Sequence, residues 1–497
     1  MKPALEEKNS GQRLKDIAIA VALGTAVLGT LLGTDLLLKS KRDASLASEG
    51  LSASEVEAKG LFNFDGPASS LQPEVRAVLA LLGLGLDQQE EAITYITEHW
   101  TPELTPMLLD SLTLVRQPIY LREVVSILEQ RTGQEHGLDI QAWYQWLWNQ
   151  PPAEHPEYGE FKSALFSLID PRFSPYFSGD RPRNIRLDEV RWGGVQQDGI
   201  PPLRSPEMIA ADEADYLDDD NVVFGIAVNG DVRAYPKRIL AWHEMFVDTV
   251  GDVPVTGVYC TLCGTMILYE SEINGVEHEF GTSGFLYRSN KLMYDKATQS
   301  LWVTLLGTPA IGPLVDENIA LNHRSVVTTT WGEWRRRHPE TTVLSLDTGH
   351  RRDYSEGAAY REYFATDNLM FNVPNLDERL KNKDEVLGLL FPENSDRPLA
   401  ISADFLADNP IHHERLGDLD MVVFTDPSGA NRAYHSNGLQ FVDYDGDREV
   451  KDESGRTWQL TEDTLIASDG EELERLPAFR SFWFGWYAAY PQSRLVQ

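Results

Sequence analysis

Cysteine is scarce: the 497 residues hold two, and both stand in one turn, Cys260-Thr-Leu-Cys263. Neighbouring thiols join no distant segments, so a disulfide-built secreted scaffold is excluded. A second Cys-x-x-Cys knuckle is missing, which excludes a closed four-cysteine zinc site within one chain. Positive charge is short as well. Lys+Arg number 44 against 77 Asp+Glu, a formal net charge of -33. A surface so acidic repels phosphate backbones and excludes nucleic acid as an expected partner, and it reads as a solubility adaptation. Phosphate-loop chemistry is absent too, because Gly281-Thr-Ser-Gly284 lacks the Lys-Ser/Thr and the helix that a P-loop requires. Neither a Gly-x-Ser-x-Gly elbow nor a His-Glu-x-x-His helix occurs.

What remains is ordinary globular composition, 10% aromatic and 24% charged, in a chain long enough for about three domains. Residues 1–42 read as a polar tail followed by an apolar run, Ile17 to Leu38, closed by Lys39, Lys41 and Arg42. As a helix that run would be roughly 33 Å long, enough for the ~30 Å core of a bilayer. A cleaved signal peptide ending near Ser45-Leu-Ala47 competes, but the basic cluster ahead of that site favours an uncleaved anchor. The expectation is a single-pass membrane protein, N-terminus inside, with most of the chain extracytoplasmic.

Residues 43–70 form an Ala/Ser/Glu/Gly-rich linker. Residues 71–170 carry short amphipathic segments that resemble a HEAT-like helical array, a surface suited to a protein partner. A proline-rich stretch then leads into strand-dominated sequence, expected as one β-rich module over 171–365 and a second over 366–497. The fold class is therefore α+β: a transmembrane helix, a small all-α domain, and two related modules with mostly antiparallel sheets.

The cysteines sit between two β-branched, apolar runs, Val255 to Tyr259 and Met266 to Tyr269, expected as strands joined by a knuckle. Upstream, Val222–Val228 and Val232–Tyr235 flank an Asn229-Gly-Asp turn, a hairpin signal. Pro236 then opens an expected helix from Lys237 to about Val250. Its stripe of Ile239, His243, Phe246 and Val250 places His243 on the buried face.

The two modules repeat a pattern. Trp331-Gly-Glu-Trp334 with Pro339 matches Trp483-Phe-Gly-Trp486 with Pro491. Asp295 and Trp302 match Asp452 and Trp458, and Val222–Ile226 matches Val386–Leu389. Opposite the cysteine knuckle stands Val422-Val-Phe-Thr-Asp-Pro-Ser-Gly429, which keeps strand and Gly turn but has no thiol. Two copies, one of them armed, imply that the thiols are not needed to make the fold.

Tyr259-Cys-Thr-Leu-Cys-Gly-Thr265, Phe280-Gly-Thr-Ser-Gly-Phe-Leu-Tyr287, Leu292-Met-Tyr-Asp295, Ser300-Leu-Trp302 and Thr330-Trp-Gly-Glu-Trp334 resemble the family catalogued as domain of unknown function 3179. Arg233-Ala-Tyr-Pro236 and His243-Glu244 fit the same pattern, and the resemblance covers about Pro171 to Gln497. That family usually reads Cys-Pro-x-Cys, where this chain has Thr261. The label implies a fold neighbourhood and no activity.

Three readings of the knuckle follow. In the first, Cys260, Cys263 and His243 ligate zinc or copper, with Met266 or Asp295 as a fourth donor, since thiolate plus imidazole selects soft metals. In the second, Cys260 and Cys263 form an exchangeable dithiol. In the third, the protein is a non-catalytic tethered binding or scaffold protein. Tyr235, Gly264, Gly284, Trp302, Trp331 and Trp334 are taken as structural positions of the motif.

Overall fold

The computed structural model describes residues 62, 64, 66–83, 86–390 and 398–497. The expected membrane anchor, Ile17 to Leu38, and most of the linker lie outside them. Among the described residues no helix is long and apolar enough to cross a membrane.

The chain divides into two compact units, the first running to Asp180 and including Gly193–Val195, the second comprising Arg181–Trp192 and Gln196–Gln497. The first is helical. Its helices Pro73–Ala80, Leu86–Glu98, Thr105–Leu112, Pro118–Thr132, Ile140–Trp148 and Tyr158–Ser167 follow the amphipathic segments of the sequence. Proline at the first turn fixes φ where no amide partner is needed, and Gly133 at φ 72 closes the 118–132 helix. Trp143 and Trp148 are buried as core. At the centre Lys162 Nζ lies 2.7 Å from Asp110, whose carboxylate also accepts from the Tyr144 and Tyr158 hydroxyls. A charge pair removed from water persists there because its acceptor positions are filled.

The second unit is built mostly from antiparallel strands and shows the internal repeat as topology. In the first copy the strand order is Val327–Thr330, Val222–Val228, Asp231–Pro236, Thr342–Leu344. In the second it is Ala478–Phe482, Glu385–Leu389, Leu399–Ser402, Arg494–Val496. In both sheets the first two pairings are antiparallel and the third parallel, and the first copy adds Met208–Ala210 antiparallel to Thr342–Leu344 as a fifth strand. Each is followed by a three-strand meander: Met245–Val250, Val253–Cys260, Thr265–Glu270 in one copy and Ile411–Leu416, Leu419–Thr425, Asn431–His435 in the other.

The tryptophan motif has one job in both copies. The helices Trp331–Arg337 and Trp483–Ala489 press Trp334 and Trp486 onto Gly225 and Gly388. A Cβ on either glycine would lie 2.3 Å from Trp334 or 2.1 Å from Trp486. Each indole N–H is satisfied by a hydroxyl seven residues on, Thr341 and Ser493. The run Arg335-Arg-Arg337 is only partly a wet face. Arg337 is buried and bonds Glu333 and the Asp447 carbonyl.

One expected element differs. The helix from Lys237 stops at His243, and Met245–Val250 is a strand. Glu244 takes the left-handed conformation at φ 55, which ends the helix. The following Phe246, Val247, Thr249 and Val250 then pair with Val253–Gly257. Apolar spacing alone allowed either reading, and β-branched content with an available ladder decided for the strand.

Candidate functional site

The strand Val253–Cys260 ends on Cys260, paired with Thr265 across the turn, and Gly264 at φ 60 makes the turn tight. Both cysteines are free and buried, at 2% and 0% exposure. Phe482 and Phe484 of the second copy and Tyr363 of the segment between the copies pack around them. The contact is direct. The Phe482 amide donates to the Cys263 carbonyl at 2.7 Å, and a Cβ on Gly485 would lie 2.9 Å from Cys263 Cβ. Thr265 and Ser481 share a hydrogen bond of 3.0 Å.

The surroundings divide the two sulfurs. Burial raises the Cys260 thiol, yet the Cys263 hydrogen bond, the Lys291 main-chain N–H and the Lys291 ammonium outweigh burial and Glu244, so its pKa falls below the ordinary value. Cys263 is pushed well up by burial, then by its hydrogen bond to Cys260 and the charge there. Its S–H also faces the Ser289 carbonyl at 3.4 Å, while the Asn290 amide donates to its sulfur at 3.4 Å. Of the two, Cys260 is the sulfur shifted towards thiolate and Cys263 the one held as a thiol.

Beside the sulfurs lies a buried ion pair between Glu244 and Lys291, exposed 5% and 6%. Glu244 Oε1 accepts from Thr261, inside the Cys-x-x-Cys turn, at 2.7 Å, and from Tyr360 at 3.0 Å. Tyr363 donates to the Leu262 carbonyl at 2.7 Å. Both tyrosines belong to the stretch between Leu344 and Glu385, whose one helix is Arg361–Phe364. A long, mostly irregular stretch inside a compact unit is a functional cover more often than filler.

The other expected ligands stand elsewhere. His243 is fully buried, but its Nδ1 faces the Pro201 carbonyl at 2.9 Å and its Nε2 the Tyr354 hydroxyl at 2.5 Å. A carbonyl only accepts, so Nδ1 carries the proton and Nε2 accepts from Tyr354. Burial pushes this imidazole down to about 4, which keeps it neutral. Met266 packs with Tyr259 and Phe224 in a separate core. Asp295 bonds His278 Nδ1 at 2.6 Å and caps the turn at Thr298.

Among the described residues no three His, Cys, Asp or Glu side chains stand as a metal-holding group. The donors gathered at the sulfurs are two thiols, short of the four that a zinc site takes. Tyr235 donates to Asp248 and stacks on Phe246; Gly284 is at φ 84, Trp302 packs edge-on to Phe280, and Trp331 and Trp334 are buried.

Sequence reading missed Glu244, Asn290, Lys291, Tyr360, Tyr363 and Phe482. The signal for Glu244 was its place in the His243-Glu244 stretch. Carrying the helix on to Val250 directed attention to the imidazole instead of the carboxylate. The other five come from remote segments and carry no local mark.

Residues 197–493 match the model of the family described as protein of unknown function (DUF3179), and the chain belongs to that family. No curated protein and no solved structure matches it.

Proposed function

We propose that this member of the DUF3179 family is a thiol–disulfide redox protein whose working pair is Cys260 and Cys263. The single observation supporting the reading is the placement of two free, buried cysteines on one tight turn in unlike surroundings, with Cys263 bonded to Ser289 and Asn290 and the Glu244 carboxylate bonded to Thr261 between them. The Cys260 thiolate attacks a disulfide R–S–S–R′ of a partner, forming a mixed disulfide and releasing R′–S⁻. Cys263 then loses its proton, attacks Cys260 Sγ and releases R–S⁻, which takes that proton. Two electrons pass to the partner and the pair is left as a disulfide. Since both sulfurs are covered, exchange requires the segment carrying Tyr360 and Tyr363 to move aside.

The same proposal includes placement. An anchor at Ile17 to Leu38 would hold the pair outside the cytoplasm, where disulfides persist. The helices of the first unit, read as a HEAT-like array, would offer the partner a surface.

The test is to equilibrate the full-length chain in dithiol buffers of graded potential and count free thiols by mass tagging. A single two-electron transition, lost in Cys260→Ser and in Cys263→Ser, is expected. Thiols that stay reduced at every potential defeat the reading. One equivalent of zinc or copper in chelator-free protein, lost with either serine variant, replaces it with metal binding.

A further inference from the structure

Resting on the redox reading, a second assignment concerns the charges beside the sulfurs. Glu244 and Lys291 are both nearly fully buried and paired with each other. Each is also tied to the Cys-x-x-Cys turn. Glu244 ends the helix in a left-handed conformation, its main-chain carbonyl accepts from the Tyr259 amide at 2.9 Å, and its carboxylate accepts from Thr261 between the two cysteines. Lys291 follows Asn290, the donor to Cys263, in the strand Asn290–Asp295. The ion pair is therefore tied to the dithiol turn by Thr261 on the Glu244 side and by the strand of Asn290 on the Lys291 side.

The Glu244–Lys291 pair is not shared by the second copy. The second copy keeps strand, Gly turn and strand around Thr425 and Gly429, and there the turn carries Asp426 bonded to Arg432, a different ionic arrangement. Burying an ion pair costs free energy that packed apolar side chains would not, and both turns carry one; the pair at the armed turn differs in that its carboxylate accepts from Thr261, between the two cysteines.

We propose that Glu244 and Lys291 are opposed positioning residues that set the ionisation of the dithiol, the carboxylate holding the thiols protonated and the ammonium drawing Cys260 towards thiolate. Among the described residues the phenols facing the sulfurs are Tyr259 from the same strand and Tyr360 and Tyr363 from the segment between the copies; Arg288, beside Ser289, is paired with Glu189 and bonds the Ala488 carbonyl, and Lys383 bonds the Tyr363 carbonyl. The three phenols are raised by burial and stay neutral. Glu385 acts on Tyr259 and is itself paired with Arg480, and the second-copy helix presents apolar Phe484, Gly485 and Ala488. The balance between two charges is thus what a partner, a pH change or a shift of Tyr360 would disturb.

The experiment follows thiolate absorbance of the reduced full-length chain across pH, with the Cys260→Ser/Cys263→Ser variant as baseline. Glu244→Gln keeps an acceptor for Thr261 and leaves Lys291 as a lone cation. It should move the first thiolate titration down by about one pH unit or more, a roughly tenfold rise in thiolate fraction at fixed pH. Adding Lys291→Met to that variant should reverse most of the shift, and Lys291→Met alone should titrate at or above the wild type. The reversal keeps the test decisive even where Lys291→Met alone does not fold.

A merely structural pair would move all variants in one direction or none, and either result overturns the proposal. Opposite shifts in a protein that never cycles in dithiol buffers leave the charge pair standing and remove the redox reading. Cycling without opposite shifts removes the charge pair alone.

Discussion

His243 holds its neutral form through two hydrogen bonds made in full burial, and that has a consequence for stability. Its folded pKa is lowered from 6.5 to about 4 by burial first, then by the charges of His350 and Arg352. The unfolded state binds the proton earlier as pH falls. The stability this imidazole contributes is therefore complete above about pH 6.5 and drains away between 6.5 and 4, by an amount of order 3 kcal/mol. His323 is shifted the same way by burial and adds to the slope over the same window. His243→Gln preserves a donor towards Pro201 and an acceptor towards Tyr354. Its urea midpoint should fall less steeply from pH 6.5 to 4.5 than that of the wild type. Equal slopes would place the ring's proton elsewhere. At the same scale, Thr261 has a use that proline at its position would lack, because its hydroxyl is the donor to Glu244 inside the turn.

Elements decide what the sequence made legible. The hairpin at Val222–Pro236, the strands flanking the knuckle and the paired tryptophan helices were all readable, because period-2 alternation and the Trp-x-x-Trp-x-x-x-x-Pro spacing are local signals. Gly225 and Gly388 explain why the tryptophan spacing is tied to a strand so far away in sequence: each indole lies flat on a strand with no side chain. Gly225→Ala or Gly388→Ala forces the ring out of its slot and should cost about 3 kcal/mol, the upper end for overpacking, read as a lowered denaturant midpoint. The helix from Lys237 was the local failure, since a single residue in the left-handed region, Glu244, cannot be seen in apolar periodicity. Its misplacement also misdirected the site: with the helix carried on, His243 faced the thiols. In the fold it faces Pro201 and Tyr354, and the next residue serves the thiols.

At the scale of the second unit the two copies seat their turns on each other. The cysteine turn lies against Ser481, Phe482 and Gly485 of the second copy; the Asp426–Gly429 turn lies against Thr329 of the first, with Thr329 and Ser428 sharing a hydrogen bond of 3.0 Å. Sequence could announce the duplication but not this exchange, which depends on contacts more than 200 residues apart in the armed case and about 100 in the other. The exchange separates what the fold supplies from what the site supplies. The unarmed turn is the more open, with Pro427 exposed and Ser428 half-buried. Pro427 and Ser428 line an open surface hollow of about 550 Å³ with Asp219, Thr330, Glu333, Arg335 and Arg336. Thr425→Cys with Ser428→Cys, made in a Cys260→Ser/Cys263→Ser background, would place two thiols on the same strand and turn, without Glu244, Lys291, Tyr360 or Phe482 around them. If backbone geometry alone tuned the dithiol, this transplanted pair would acidify one sulfur as the native pair does. The charge pair and the cover being the cause, neither transplanted sulfur should titrate below the ordinary cysteine value of about 8.5, since Thr425 is buried and Asp426 stands between the two positions. The transplanted pair should also react with iodoacetamide in the folded protein at least tenfold faster than the native pair at pH 9, because Ser428 is half-exposed where Cys263 is closed off. A transplanted pair as acidic and as slow to alkylate as the native one would return the whole effect to the turn.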